Sequence, residues 1–453
     1  MNWQKLRVHF VGIGGSGMSG IAKVMAARGA VISGSDLHES STLEGLRAMG
    51  MKIFVGHDAS NVLGAALLVR SSAIADSNIE LMAARSSGIE ILERAEALSR
   101  LLVGKTSVAV AGTHGKTTTT SMLTVALQSC GLDPSFSIGA SVRNFGTNAH
   151  HGSGEIFVVE ADESDGSFTN YRPNAAIITN IELDHVDNFK DLASIDSLFE
   201  DFMRTIRDEL VICSDDPGAL RLIGKAKNSG PNLITYGTIG DPDLLIDRIY
   251  LSARESKARL VFRGRVWGEL ELMIPGRHNL LNAAAAIAMG HQLGAPHLEL
   301  MAGLSKFTGA RRRFEIRGSA RGVTVIDDYG HHPTEVRATL DTARNFAGSG
   351  RVIVIFQPHR FSRTAAFANE FAAELARADH TYLLEIYAAS ESSIPGITSG
   401  VIAAKMPKER VTYEPSMPEV ISKVIKNAES GDVILTLGAG DVSSLAPLIV
   451  ENL

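Results

Sequence analysis

Thr106-Ser-Val-Ala-Val-Ala-Gly-Thr-His-Gly-Lys-Thr-Thr-Thr-Thr-Ser121 decides how the middle of this chain folds. Its opening is an apolar β-run, Gly-Lys-Thr breaks the run, and a helix follows. Such a loop is a phosphate cradle, because backbone N–H groups and the positive end of the helix face one point. Gly112, Thr113, His114 and Gly115 frame that point, Lys116 adds a mobile cation, and the hydroxyl of Thr117 or Thr118 can hold Mg²⁺. The full Walker pattern has a further glycine where this chain has Val110, so the strand–loop–helix context carries the reading. The plain alternative is a Thr-rich helix start without a ligand. Four consecutive threonines are poor helix formers, and they follow a strand of the buried type, which argues against it.

Toward the N-terminus, Arg7-Val-His-Phe-Val11 leads into Gly12-Ile-Gly14-Gly15-Ser16-Gly17-Met18 and an amphipathic stretch. Strand, Gly-x-Gly-x-x-Gly and helix open a Rossmann-like unit, in which the glycines let the backbone approach a pyrophosphate. A second strand ends at Ser35-Asp36, where an NAD enzyme keeps its ribose-binding acid, so a dinucleotide and a UDP-sugar both fit at this stage. A third strand, Ala65–Val69, runs into Arg70-Ser71-Ser72, small polar residues that suit a ligand crevice or an ordinary strand-to-helix turn.

Beyond the phosphate loop, two apolar strands deliver acids at their C-terminal ends. Glu155–Val159 runs into Glu160-Ala-Asp162-Glu163-Ser-Asp165, and Asn174–Thr179 runs into Asn180-Ile-Glu182-Leu-Asp184-His185-Val-Asp187. A magnesium nucleotide needs oxygen ligands in that crevice, and an imidazole can hold a second ion. Asn279 and Asn282 share a face at the start of a further helix, where one can cap it and the pair can meet a nucleotide. After a hinge-like Phe307-Thr-Gly309, Arg311-Arg-Arg313 precedes four strand-like runs that read as another parallel sheet. Their ends carry Asp327-Asp328-Tyr329-Gly-His331-His332 and Gln357-Pro-His359-Arg360-Phe-Ser-Arg363, expected to converge on a substrate whose carboxylate suits a guanidinium fork.

Composition sets the frame. The 453 residues exceed one core and imply two to four domains, and 45% hydrophobic against 21% charged residues excludes disorder. A net charge of −6 argues against wrapping nucleic acid, and two cysteines cannot make a disulfide scaffold or a cysteine-based zinc site. The N-terminus lacks the apolar core of a signal peptide, and no apolar run approaches the length of a membrane span. A cytoplasmic enzyme without a nucleic-acid or membrane partner is expected.

Taken together, Gly12–Gly17, Ala111–Thr118, Glu160–Asp165, Asn180–Asp187, His278–Asn282, Arg313, Asp328–Glu335 and Gln357–Thr364 resemble the Mur ligase family of ATP-dependent amide-forming enzymes. The resemblance implies an α/β chain of three domains. These are a Rossmann-like domain for a UDP-sugar over 1–104, a central P-loop ATPase-like domain with a mostly parallel sheet over 105–308, and a Rossmann-like amino-acid domain over 309–453. It implies the alanine-adding branch, whose substrates are UDP-N-acetylmuramate and L-alanine with ATP and Mg²⁺, acting as a monomer or weak homodimer. A sister branch that adds a cell-wall tripeptide is the near alternative; a dehydrogenase or a nucleotide switch leaves the acidic clusters or the His/Arg set unexplained. By position, Gly12, Gly14, Gly15, Ser16, Gly17, Met18, Ser35, Asp36, Ser71 and Ser72 would hold the UDP-sugar. Residues 112–118 with Asn279, Asn282, Arg313 and Asp328 would hold ATP, and Thr117, Glu160 and His185 would surround the metal. Tyr329, His331, His359, Arg360 and Arg363 would surround the amino acid. Lys116, His185, Arg313 and His331 are the expected catalytic set, with His331 as the base. Relatives that carry a carbamylated lysine have it after the Asp-His-x-Asp stretch; here no lysine lies between Asp191 and Leu210, so none is expected.

Overall fold

A computed structural model describes residues 2–227, 230–389 and 391–453. It divides into two compact units, one of Met1–Ile181, Asp196–Leu244 and Ala285–Gly303, the other of Glu182–Ile195, Leu245–Ala284 and Leu304–Leu453.

In the first unit, Arg7–Val11 is buried beyond its first residue, and such a strand needs neighbours on both sides. It lies at the centre of a five-stranded parallel sheet in the order Lys52–Val55, Val31–Asp36, Arg7–Val11, Leu67–Arg70, Glu90–Glu93. The helix Ser16–Ala27 packs Met18, Ile21, Val24 and Met25 inward, so the loop before it is held at the C-terminal edge of the sheet. A second sheet is built around Thr106–Ala111, which pairs in parallel with Ala175–Ile178 and Ile156–Glu160. Glu209–Cys213 and Asn232–Gly237 continue it on one side in parallel. Ser135–Val142 and Thr147–His150 close the other side, the last pair antiparallel.

The threonine run after the phosphate loop is helical. Thr117–Thr120 lie within Lys116–Ser129, where the hydroxyls of Thr120, Ser121 and Thr124 donate to carbonyls four residues back. That internal bonding satisfies the hydroxyls of these three residues in the buried helix, while Thr119 Oγ1 is buried with no hydrogen-bond partner among the described residues.

The second unit holds the antiparallel pair Ser256–Phe262 and Arg265–Leu272 and a six-stranded sheet. Its order is Glu315–Ala320, Val323–Asp328, Val433–Leu437, Val352–Phe356, His380–Leu383, Val411–Tyr413. The central strands Val352–Phe356 and Val433–Leu437 are wholly buried and pack on Phe371 and Leu375 of the helix Ala368–Leu375. The reading of four parallel strands is corrected here: the sheet has six, and Glu315–Ala320 is antiparallel. That strand was missed because it buries no face, and an exposed edge strand carries no hydrophobic period.

The three sheets occupy residues 7–93, 106–272 and 315–437, which bears out the three-domain α/β architecture. Among the described residues no helix is long and apolar enough to cross a membrane.

Candidate functional site

The phosphate loop is fixed from the end of the neighbouring strand. Thr113 N donates to Asn180 O at 3.0 Å, His114 N to Asn180 Oδ1 at 2.7 Å, and Asn180 Nδ2 returns a bond to His114 O at 2.9 Å. Gly112 has φ +130, and a Cβ there would lie 2.1 Å from Thr179 Oγ1, so only glycine permits this approach. Gly115, at φ +81, precedes the helix Lys116–Ser129, whose first turn has no acidic residue and no side-chain cap. A helix start of this kind favours an anion.

Lys116 folds back over its own loop. Nζ donates to Gly112 O at 2.6 Å and Thr113 O at 3.1 Å and pairs with Glu163 at 2.8 Å. Burial pulls the lysine pKa down, but Glu163, Asp162 and Glu160 outweigh it and hold the ammonium above its usual range. Burial pushes the Glu163 carboxyl up to about 7 against the pull of Lys116. Glu163 belongs to the acidic cluster after the strand Ile156–Glu160, and that position is the one sequence signal of its pairing with Lys116. Glu160 ends Ile156–Glu160 with its carboxylate against Gly139, where a Cβ would lie 2.7 Å from Oε2. Thr117 and Thr118 are buried in the first helical turn.

The glycine-rich loop is fixed by the same device with different chemistry. Gly12 N and Ile13 N both donate to Ser35 O, at 2.9 and 3.0 Å, and Gly14 N donates to Asp36 Oδ2 at 2.8 Å. Asp36 Oδ1 accepts Leu37 N at 2.8 Å, so both oxygens of the acid expected on a ribose are engaged with backbone. A Cβ at Gly14 would lie 2.8 Å from Asp36 Oδ2, so a larger residue there would push on the carboxylate that holds the loop. With these amides turned inward, the N–H groups offered to a diphosphate are those of Ser16, Gly17 and Met18, at the start of an uncapped helix. The side chains of Ser35 and Met18, expected at the UDP-sugar, are both buried, and Ser35 Oγ donates to Glu80 at 2.5 Å. Gly15 and Ser16 are exposed. Ser71 N donates to Val11 O, and Ser71 O accepts Ile74 N, so this strand end turns directly beside Gly12; Ser72 is exposed. Arg94, not singled out from the sequence, lies against Gly17 and pairs with Asp162 at 3.3 Å.

In the second unit, the histidine and arginine residues converge as expected. The rings of Tyr329 and His331 are 5.2 Å apart, those of His331 and His359 5.7 Å, and His359 stacks on Tyr387 at 5.7 Å. Arg363 is buried, with Nε and a terminal nitrogen on Asp184 at 2.8 and 2.7 Å and the other nitrogen 3.2 Å from His359 Nδ1. Arg360 pairs with Asp187 and lies 3.7 Å from Glu391. Both guanidinium groups thus already face carboxylates of Asp184 and Asp187, residues read from sequence as metal-side acids. Burial raises the Asp184 pKa, but Arg363 and the histidines around it drive it well below the carboxylate range. His185, beside it, has φ +50 and lies 3.9 Å from the Asp184 carboxylate.

The tautomers follow from the partners. Tyr329 O can only accept, so His331 Nδ1, 3.0 Å away, carries the proton and Nε2 is bare. Arg363 can only donate, so His359 Nδ1 accepts and its proton sits on Nε2. Burial pushes His331 down to about 4 and His359 to about 3. His359 is therefore a hydrogen-bond donor, and His331 is the imidazole with a lone pair to offer.

The expected nucleotide residues of this unit are mostly engaged within it. Asp328, expected at the nucleotide, accepts Phe314 N, Gly330 N and Thr339 Oγ1 at 2.7, 2.8 and 3.0 Å, and so also holds the Arg313–Phe314 turn in place. Burial pushes its carboxyl up despite Arg313. Arg313 lies over the Tyr329 ring at 5.1 Å and 3.7 Å from Glu335. Asn279 donates to Pro275 O at 2.7 Å; Asn282 is buried one turn on.

Three family models match the chain in series: Mur ligase family, catalytic domain, at residues 7–106; Mur ligase middle domain at 110–290; and Mur ligase, glutamate ligase domain, at 312–440. A UDP-N-acetylmuramate–L-alanine ligase of Acidothermus cellulolyticus is 47% identical over 99% of this chain and 95% of its own. That of Mycolicibacterium smegmatis is 47% identical over 99% and 95%. Among solved structures, a UDP-N-acetylmuramate–alanine ligase from Thermotoga maritima superposes with a TM-score of 0.84 at 31% identity, covering 98% of each chain. A murein peptide ligase from Psychrobacter arcticus shares the fold at a TM-score of 0.74 and 24% identity, over 99% and 98% of the chains.

Proposed function

The chain belongs to the Mur ligase family, and we propose that its two loops and its His–Arg cluster are the three substrate subsites of one amide-forming reaction. That reaction is the ATP-dependent ligation of L-alanine to the lactyl carboxylate of UDP-N-acetylmuramate, in peptidoglycan precursor synthesis. The observation that carries the site assignment is the buried Lys116 ammonium, held in a glycine-framed loop at the start of an uncapped helix.

A lactyl carboxylate and an ATP γ-phosphate repel each other in a dry cleft. Lys116 and Arg313 offset that charge and stabilise the phosphoryl group in transfer. The carboxylate takes the phosphoryl group to give an acyl phosphate and ADP. The amine of alanine then attacks the acyl carbon, and phosphate leaves. His331, neutral and bare at Nε2, takes the proton from the amine; Glu335, 3.4 Å from Nδ1, steadies the imidazolium. His359 Nε2–H and the guanidinium groups of Arg360 and Arg363 orient the amino acid, with Asp184 and Asp187 holding the arginines in place.

Mg²⁺ suits the donors present, a hydroxyl and a carboxylate at the strand and helix ends around the loop. Thr117 and Glu160 would hold it, with His185 for a second ion, and it would supply charge neutralisation on the phosphates. The diphosphate of the UDP-sugar is assigned to the first-turn amides after Gly15, beside Ser71 and Ser72. Domain limits of 1–104, 105–308 and 309–453 accord with the three sheets and the three matched segments. We place the enzyme in the cytoplasm as a monomer or weak homodimer.

The test is phosphate release from ATP by the purified chain. It is expected only when UDP-N-acetylmuramate and L-alanine are both present; release that ignores the sugar nucleotide rejects the reading. An amine panel that includes a cell-wall tripeptide separates the alanine-adding branch from its sister.

A further inference from the structure

A carboxylate lies buried beneath the glycine-rich loop, outside every subsite described above. Glu80, in the first turn of the helix Ile79–Ser86, is fully buried. Its Oε2 accepts Ser35 Oγ at 2.5 Å and lies 3.1 Å from His57 Nδ1, which must carry the proton because a carboxylate only accepts. Its Oε1 accepts Asn61 Nδ2 at 2.6 Å and Asp58 N at 3.4 Å, and His9 Nε2 stands 3.7 Å from Oε2. Burial works against ionisation, but His9, Ser35, Asn61 and His57 outweigh it and hold the carboxyl down at about 2.

Stability alone does not account for a charge at this position, since a well-packed apolar side chain often serves as well. What the charge does provide is direction. Both oxygens are engaged by donors from two segments, Ser35 and residues 57–61. The carbonyl of Ser35 in turn accepts the N–H groups of Gly12 and Ile13, and the next residue, Asp36, accepts that of Gly14. One side chain therefore stands a single residue away from three consecutive amides of the loop.

We propose that Glu80 is a positioning residue for the sugar nucleotide: through the Ser35 hydroxyl it fixes the Ser35–Asp36 corner, and so aims the first-turn amides of the helix Ser16–Ala27 at the diphosphate. The inference rests on the assignment of that loop to the UDP-sugar. A role confined to holding the domain together would move stability and all kinetic constants alike, whereas positioning moves the constants of one substrate.

The experiment is steady-state kinetics on the full chain with UDP-N-acetylmuramate, ATP and L-alanine varied in turn, for wild type, Ser35→Ala, Glu80→Gln and Ser33→Ala. Ser35→Ala and Glu80→Gln are expected to raise KM for UDP-N-acetylmuramate about tenfold, with KM for ATP and alanine and kcat within about twofold of wild type. Ser33→Ala removes a bond to His9 Nδ1 (2.9 Å) from the same strand but leaves Ser35 and Glu80 joined, so the sugar-nucleotide KM should not move. If Glu80→Gln fails to fold, Ser35→Ala, which keeps the carboxylate, decides. A sugar-nucleotide KM unchanged in Ser35→Ala, or parallel changes for all three substrates, overturns the proposal. A wild-type chain that releases no phosphate with both co-substrates overturns the functional assignment itself, and the positioning role with it.

Discussion

The two glycine loops of the first unit are anchored alike and charged differently. Each follows a buried parallel strand, and each is tied by its backbone amides to the end of the adjacent strand. The phosphate loop is tied by Asn180, a neutral amide, and carries Lys116 within it. The glycine-rich loop is tied by Asp36, a carboxylate, and has no cation of its own between Gly12 and Gly17. A triphosphate brings more negative charge than the diphosphate of a sugar nucleotide, so an anionic anchor is tolerable only at the second loop. On the proposed assignment of ligands, the two loops differ in the charge of their anchors rather than in the backbone pattern that ties them.

Removing the cation is the hardest test of that contrast. Lys116→Met should lower kcat by about 10²–10³-fold, in line with the loss of a preorganised charge at a transferring group. Phosphate release measures the loss, and an unchanged circular dichroism spectrum shows that the fold stands. An equally active variant would break the comparison. Next in size, Asn180→Asp keeps an acceptor for His114 N but places a charge at the phosphate loop. KM for ATP should rise about tenfold, since one like charge near 4 Å costs about 1–4 kcal/mol, while KM for UDP-N-acetylmuramate stays put. At the other loop, Asp36→Asn removes charge and leaves one oxygen to serve both Gly14 N and Leu37 N. The loss of about one hydrogen bond should raise KM for the sugar nucleotide about fivefold, with no change for ATP.

The smallest effect sets both loops apart from the histidine-rich strand ends of the second unit. His278 and His331 are pushed down to about 4 and His359 to about 3, in each case chiefly by burial. An unfolded histidine titrates near 6.5, so between those values the unfolded chain binds more protons than the folded one. Their contribution to stability is therefore full above about pH 6.5 and is lost as the pH falls toward 4. Thermal melts should show a Tm a few degrees lower at pH 5 than at pH 7. Replacing His359 by Gln should reduce that slope, and an unchanged slope would show that the ring is not held neutral.

The elements read correctly from sequence were those whose signal is local. Thr106–Ala111 followed by Gly-Thr-His-Gly-Lys marks strand, loop and helix within one short stretch, and the strand ends bearing Glu160, Asp184 and His359 are marked by apolar runs that stop at polar residues. The edge strands Glu315–Ala320 and Val411–Tyr413 and the short Thr147–His150 were not read, because exposed or short strands have no burial period to display. Ser135–Val142, eight residues and largely buried, was missed because its run of small polar residues breaks the apolar pattern. Asp328 was placed at the nucleotide by the family resemblance, and its partners within the fold, Phe314 N and Thr339 Oγ1, lie 14 and 11 residues away and could not be read from spacing.

By itself the sequence determined that three α/β sheets stand in series, that two of them begin at glycine loops, and that a cation, a set of acids and a set of histidines lie at strand ends. These are facts of spacing and residue type, which a linear chain carries without folding. The tertiary structure alone decided which carboxylate each cation meets: Glu163 for Lys116, Asp184 for Arg363, Asp187 for Arg360. It also decided which imidazole nitrogen holds the proton and which amides turn inward. Such choices depend on partners brought together from distant segments within about 3 Å, and on whether water is excluded there, and neither is written in local order.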